Sequence, residues 1–182
     1  LSTTSVTYYF KRKDELAAAC LMRGVDGLAA IAGQALAEPT PERRLHRLLD
    51  LHLERLRLTA VGEAPAPPSL ADIRALNEPQ RTEVMAAFME VFRKARSLFE
   101  APELDWMSRG RATARTHMLL EQLFWAAAWL PKYDPEDYPR IRERMFDVLM
   151  HGIAGPGRAW TPQPLPDLPL QEREAYLQVI RH

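Results

Sequence analysis

Hydroxyl, tyrosine and lysine side chains are concentrated in the first thirteen residues of the chain. Hydroxyl groups can bond to phosphates and base edges in a DNA groove, and lysine ammonium groups neutralise phosphates. Ser2 can cap a short helix here, and Asp14 and Glu15 favour a second helix because acids stabilise the positive end of the helix dipole. On composition alone, a polar first helix with no nucleic-acid partner is the simpler interpretation. The side chains for which we predict DNA contacts are Thr3, Thr4, Ser5, Thr7, Tyr8, Lys11 and Lys13.

The order of these residues carries more information than their composition. From Val6 to Leu16 the chain reads VTYYFKRKDEL. This stretch resembles the end of the DNA-binding motif of TetR-family transcriptional regulators. In that family an aromatic-rich recognition helix is followed by Phe-Lys-x-Lys-(Glu/Asp)-x-Leu, which opens a connecting helix. The likeness covers about fifteen residues, and Thr7 stands where the family often has a tyrosine.

The resemblance implies an all-α protein, in which a remnant of a helix-turn-helix DNA-binding domain precedes a TetR-like helical ligand-binding and dimerisation domain. Residues 1–13 would be the end of the DNA-binding domain with its recognition helix, and 14–36 the connecting helix. Residues 37–182 would bind the effector and dimerise, with a proline-rich C-terminal arm at 156–169. Two further helices are implied before residue 1, so we expect the chain as printed to bind DNA poorly.

The resemblance also implies a function and partners. The protein would be a ligand-responsive transcriptional regulator, a repressor, whose affinity for its operator is changed by a small, largely apolar effector. Its partners would be double-stranded operator DNA, the effector and a second copy of the chain. The alternative from another class is a helical protein-interaction module with no effector. Thermal unfolding with a panel of apolar small molecules separates the two, because a ligand selective for the native state raises the melting temperature.

The composition is typical of a globular chain in a reducing compartment. Of the 182 residues 47% are hydrophobic and 26% charged, and the net charge is zero, so we expect a sizeable core and no overall basic character. Cys20 is the single cysteine, which excludes an intrachain disulfide and fits the cytoplasm. We expect it to be a small core residue. No apolar run approaches the ~20 residues that a bilayer span needs, so we expect no membrane partner.

The sequence contains no recognisable catalytic or metal-binding pattern. The five histidines form no His-Glu-x-x-His or other metal-ligand spacing, and neither a glycine-rich phosphate loop nor a nucleophile elbow is present. His117 and Glu121 lie one helical turn apart and could exchange a proton, but a structural hydrogen bond is the simpler interpretation. We therefore predict no enzymatic activity, no cofactor and no metal site.

Apolar residues at helical spacing predict α-helices throughout, and no alternating run is long enough for a strand. In the connecting helix, Gly24, Gly27 and Gly33 would let another element approach closely. Thr40-Pro41-Glu42 begins the next helix, and a short helix fits residues 69–76. The remaining predicted helices are one from a capping box at Asn77 to about Glu100, one over Arg109–Leu130 and one over Glu136–Ile153. The apolar stripes are Leu45, Leu48, Leu49, His52, Leu53 and Leu56, and then Met85, Phe88, Met89, Phe92, Ala95 and Phe99.

Large, soft side chains and a few polar groups on these helices fit a small-molecule cavity. Such stripes are more often core than cavity lining, and both interpretations remain open. The residues for which we predict effector binding are His52, Met85, Phe88, Met89, Phe92, His117, Leu120, Glu121 and Phe124.

The last two long helices resemble the pair through which TetR-family proteins dimerise as a four-helix bundle. Aromatic residues and methionine are enriched in the cores of such interfaces, although the same side chains could also fill the core of one chain. The predicted dimer-interface residues are Trp125, Trp129, Phe146, Leu149 and Met150.

Overall fold

The computed structural model describes residues 13–105 and 107–152. The described residues form five α-helices, joined by short 3-10 helices, and contain no strand, so the all-α prediction is confirmed. The α-helices are α1 (Lys13–Leu36), α2 (Pro41–Ala60), α3 (Gln80–Ser97), α4 (Arg109–Trp129) and α5 (Tyr138–His151). The 3-10 helices are Leu70–Ala75, Pro102–Leu104, Leu130–Lys132 and Pro135–Asp137.

Several predictions made from the sequence fall outside the described residues. The proline-rich arm at 156–169 is among them. So are the DNA contacts predicted for Thr3, Thr4, Ser5, Thr7, Tyr8 and Lys11.

Helix α1 is the central helix of the fold. Its buried side packs against α2, α3 and the 3-10 helix Leu70–Ala75. By length and composition alone α1 could cross a bilayer, so the expectation that no apolar stretch is long enough was wrong. Alanines between its isolated charges keep the mean hydropathy high. Because a helix in a protein core can be equally long and apolar, the composition of α1 is weak evidence for a membrane span. The buried residues of α1 are Leu21, Gly24, Val25, Leu28, Ile31, Ala32 and Ala35.

The start and buried face of α2 follow the local sequence. The Thr40 hydroxyl accepts a hydrogen bond from the backbone N–H of Arg43 at 3.3 Å, and Pro41 occupies the first turn. This arrangement satisfies one of the N–H groups that a helix start leaves without an intrahelical partner. The predicted stripe is confirmed, since Leu45, Leu48, Leu49, His52, Leu53 and Leu56 are all buried.

Helix α3 begins differently from the prediction. Asn77 does not cap it; instead its side-chain amide donates to Asp14 Oδ2 at 3.0 Å. Near the helix start, it is the Glu78 carboxylate that accepts hydrogen bonds, from the backbone N–H and the hydroxyl of Thr82 at 3.2 and 2.7 Å. The sequence signal was ambiguous because Asn77 and Glu78 can both accept hydrogen bonds at a helix start.

The buried face of α3 is also rotated from the predicted stripe. The buried residues are Val84, Val91, Phe92 and Ala95, whereas Met85 and Met89 are 37% and 43% exposed. Cys20 on α1 is exposed too, so the expectation of a core cysteine was wrong. Apolar residues surround both helices on more than one side, and the neighbours that a helix meets decide which side is covered.

Two glycines of α1 lie against other elements, and a third does not. A Cβ atom on Gly24 would stand 2.6 Å from Cγ and 2.9 Å from Cδ of Pro68, which is closer than atoms can pack. A Cβ on Gly27 would meet the flexible end of the Arg55 side chain, at 2.9 Å from Cζ. A Cβ on Gly33 would meet nothing within 4 Å. The close approach predicted from the glycines is therefore confirmed at Gly24 and Gly27 and wrong at Gly33.

These contacts predict opposite effects for the same substitution at two positions of α1. Gly24→Ala forces the new methyl group against the Pro68 ring and should lower the free energy of unfolding by about 1–3 kcal/mol. Gly33→Ala adds a methyl group in open space and should raise that free energy by about 1 kcal/mol, since alanine favours the helix over glycine. Urea unfolding of both variants measures the difference. A Gly24→Ala protein as stable as the parent would contradict the close packing of α1 on Pro68.

Candidate functional site

The described structure begins where the predicted DNA-binding segment ends. Lys13 is the first residue of α1, and its side chain is exposed. Asp14 and Glu15 lie in the first turn of α1, where carboxylates interact favourably with the helix dipole. The predicted DNA-binding segment thus precedes α1 in sequence, and α1 packs against α2 and α3.

The helices α3 and α4 bring four of the predicted effector-binding residues into two ring contacts. The ring centroids of Phe88 and Phe124 are 6.1 Å apart, and those of Phe92 and His117 are 4.6 Å apart. These contacts place the two helices side by side, with Phe92 buried and His117 at the surface. We call these four residues the α3–α4 ring contact. Opening it would require the two helices to separate.

The other predicted effector-binding residues lie in different environments. Leu120 is buried in the core, and Glu121 is exposed. Met85 and Met89 lie at the surface of α3. Effector binding by these nine residues remains a prediction.

His52 connects α2 to α4. Its ring Nε2 lies 3.0 Å from the backbone carbonyl oxygen of Leu123 in the interior. Burial lowers the His52 pKa to about 4, the hydrogen bond to Leu123 opposes that shift, and the positive charge of Arg55 adds to it. The ring is therefore neutral at pH 7. Because a carbonyl oxygen only accepts, the Nε2–H must be the donor.

An open cleft of about 540 Å³ lies between the end of α3 and the start of α4. That volume is within the usual range for a small-molecule site. Apolar side chains and four charged ones line it, and none of the nine predicted effector-binding residues is among them. The sequence shows only a break between two apolar helices at this place, and such a break does not predict a cleft. The lining residues are Arg96, Phe99, Glu100, Ala101, Leu104, Asp105, Met107, Arg109 and Ala112.

A cluster of ion pairs holds α5 on α2. The Arg142 guanidinium bonds to the carboxylate of Asp50, and through its Nη2 to Glu143 Oε1 at 2.8 Å. The hydrogen bond from Arg142 holds the Glu143 pKa below its usual value. His46 Nε2 lies 3.4 Å from the same Glu143 oxygen, and the His46 ring meets the edge of Phe146 at 5.0 Å. Among the described residues, no three His, Cys, Asp or Glu side chains are grouped as a metal site would require.

The predicted dimer-interface residues lie on α4 and α5; two of them are exposed, and three are partly buried against the core of the single chain. Trp125 is 65% exposed and Met150 is 38% exposed. Trp129 is half-buried and meets the ring of Tyr133 edge-on at 6.0 Å. Phe146 and Leu149 are half-buried as well. Sequence reasoning missed the other exposed apolar residues in this part of the chain, which are Met118, Tyr133 and Val148.

Met118 could have been found from its spacing. It precedes Trp125 by seven residues on α4, a separation that returns to the same face of a helix, and both are 65% exposed. We call Met118 and Trp125, together with Val148 and Met150, the exposed α4–α5 residues.

A comparison with solved structures supports the predicted fold. No family model matches the chain, and no curated protein matches it in sequence. Among solved structures, the chain is similar to a TetR-family transcriptional regulator from Bordetella parapertussis, with a TM-score of 0.66 and 22% sequence identity. The match covers 84% of this chain and 79% of that chain. The TetR-like, all-α fold that the opening residues predicted is therefore confirmed.

The lowered pKa of His52 predicts how stability depends on pH. The unfolded chain binds a proton at this ring near pH 6.5 and the folded chain near pH 4, so folding favours the neutral ring. The stability that the neutral His52 ring allows is fully present above pH 6.5. As the pH falls towards 4, the free energy of unfolding decreases by about 3 kcal/mol in total because the unfolded chain takes up a proton at this ring. His52→Gln keeps an N–H donor without a titrating group and should flatten this part of the profile.

Urea unfolding between pH 4 and pH 7 measures that contribution. His151→Gln is the matched control, because His151 is exposed and, among the described residues, its side chain bonds to Asp147 on its own helix. That control should retain the steep loss of stability below pH 6.5. A His52→Gln profile as steep as that of the parent would contradict the assignment.

Proposed function

We propose that the protein is a DNA-binding transcriptional regulator that acts as a homodimer and responds to a small, largely apolar molecule. The observation that carries the proposal is the continuity between two features. The residues that resemble the end of a TetR-family DNA-binding motif run directly into α1, and α1 is the central helix of a TetR-like fold. The solved structure with this fold is itself named a TetR-family transcriptional regulator.

The DNA-binding end of the molecule would be the segment before α1. Lys13, exposed at the start of α1, is the described member of the predicted DNA-binding set, and it would neutralise a phosphate. Hydroxyl and tyrosine side chains earlier in the segment would contact base edges. Since the chain has no net charge, DNA affinity would depend on this local group rather than on the whole surface.

Dimerisation would use the exposed α4–α5 residues. Large apolar side chains such as Trp125, which is 65% exposed in the single chain, are enriched at the cores of protein interfaces. The Arg142 cluster that holds α5 on α2 would keep the surface in one shape. A two-fold dimer could present two recognition helices about one turn of DNA apart, roughly 34–36 Å.

The effector would act by favouring one spacing of those two helices. The α3–α4 ring contact is where we expect it to bind, since separating the rings of Phe88 and Phe124 would move α3 relative to α4. Coupling of this kind amounts to about 1–3 kcal/mol in typical allosteric proteins. A molecule with equal affinity for both arrangements would change nothing, however tightly it bound. By this proposal the regulator would be a repressor that the effector releases.

DNA binding can be tested with the full-length protein. Lys13→Ala should weaken binding to a duplex selected from random sequence, and should reduce the salt dependence of log K by about one unit of slope. Gel-shift titrations at several salt concentrations measure both. Lys132→Ala, an exposed lysine near the end of α4, is the control and should change neither. If Lys13→Ala and Tyr8→Ala both bind as the parent does, the motif assignment is wrong.

The dimer can be tested independently of DNA. Trp125→Arg places a charge in the proposed interface and should give monomers by light scattering, while the helical content is unchanged because the side chain is exposed in the single chain. Trp129→Arg should also give monomers. Met89→Arg, a matched change of an exposed apolar residue on α3, should leave the dimer intact. Dimers of unchanged size in both tryptophan variants would refute this interface.

A further inference from the structure

We propose that Asn77 and Arg44 are positioning residues that hold α1 and α3 together at both ends, so that the position of α3 sets the position of the first turn of α1. The consequence for DNA rests on the proposed function, whereas the attachment of the two helices stands on their geometry alone. Neither residue belongs to the predicted DNA-binding, effector-binding or interface sets.

The first attachment joins the two helix starts. Asn77 lies three residues before α3, and its side-chain amide donates to Asp14 Oδ2 in the first turn of α1 at 3.0 Å. A hydrogen bond to a carboxylate is stronger than one between neutral groups. It crosses 63 positions of sequence, so it fixes two elements that the chain does not hold together locally.

The second attachment joins the two helix ends. Arg44, in α2, donates from Nε to the carbonyl oxygen of Glu38 and from Nη1 to that of Glu100, each at 2.8 Å. Glu38 follows the end of α1, and Glu100 follows the end of α3. Both carbonyl groups lie outside the hydrogen-bond ladders of α1 and α3, and the fixed fork of one guanidinium can donate to both.

The two attachments fix the relative direction of the helices. Since the start of α1 is bonded to the start of α3 and the two ends share Arg44, α1 and α3 run parallel. Between the attachments, α1 and α3 pack closely along their lengths. On the side of α1 that faces the 3-10 helix Leu70–Ala75, Pro68 lies so close to Gly24 that no side chain would fit at that position.

This geometry gives α3 two roles. Phe88 and Phe92 contact α4, while the start of the helix is bonded through Asn77 to Asp14. A displacement of α3 away from α4 would therefore carry the first turn of α1 with it. Lys13 is adjacent to Asp14, so the movement would reach this described member of the predicted DNA-binding set without passing through the middle of α1.

A side-chain exchange tests the first attachment in the full chain. Asn77→Asp places two carboxylates against each other and should speed hydrogen exchange of the backbone amides of residues 17–22 about fivefold, measured by mass spectrometry. The double variant D14N/N77D recreates an amide-to-carboxylate bond in the opposite direction and should return the rate to near that of the parent. Asp14→Asn alone reports the effect of losing charge in the first turn.

A conservative change tests the second attachment. Arg44→Lys keeps the charge but cannot bond to both carbonyl groups with a planar fork, so amides of the last turns of α1 and α3 should exchange about fivefold faster. Arg93→Lys is the matched control, because within the described part of the chain the Arg93 guanidinium pairs with Glu90 on its own helix, at 2.6 Å. That control should exchange as the parent does.

The effect on DNA affinity is measured in the full-length protein, with the same duplex that is used for Lys13→Ala. Asn77→Asp should weaken binding about fivefold, and D14N/N77D should recover it. Unchanged exchange in Asn77→Asp and Arg44→Lys, or no recovery in the double variant, would overturn the attachment. If the exchange follows the expected pattern but the parent binds no duplex DNA, the proposed function fails, and with it the consequence for DNA.

Discussion

Burial of one side of α1 between α2 and α3 is the contact on which the rest of the structure depends. Removing apolar surface from water contributes roughly 25 cal/mol per Å², and α1 buries leucine, valine, isoleucine and alanine along most of its length. Small residues make this possible. Gly24 leaves room for the Pro68 ring, and the buried alanines Ala32 and Ala35 take up little space between α1 and its neighbours. The glycines weaken the intrinsic helix whereas the alanines favour it, and the tertiary packing of the apolar side adds most of the stability of such a helix.

Polar groups then set the relative positions of the packed helices. Arg44 and Asn77 connect elements through carbonyl and carboxylate groups near helix termini, where unpaired backbone groups are available. His52 does the same in the interior, from α2 to the Leu123 carbonyl of α4. Apolar burial is not directional, whereas a hydrogen bond needs its donor and acceptor close together and roughly aligned. These bonds therefore add direction to the apolar packing of the helices.

The same contacts distinguish covered from uncovered apolar surface. Leu119 and Leu123 of α4 are fully buried, yet Met118 and Trp125 on the same helix are 65% exposed. A helix that is apolar on several sides needs more than one neighbour. In the described part of the chain, other helices cover one side of α4. We therefore propose that a second copy of the chain covers its other side.

Local chemistry in the sequence determined where most helices lie and which fold they form. Thr40 and Pro41 specify a helix start by themselves, and the leucine stripe of α2 has a single apolar face, so its buried side could be predicted. The aromatic and basic residues before α1 predicted the TetR-like fold. Only the tertiary structure decided which of two apolar sides of α3 is covered, that Cys20 faces solvent, and that Asn77 bonds to Asp14 rather than capping α3. Helix starts depend on bonds within a few residues, whereas these outcomes depend on neighbours distant in sequence.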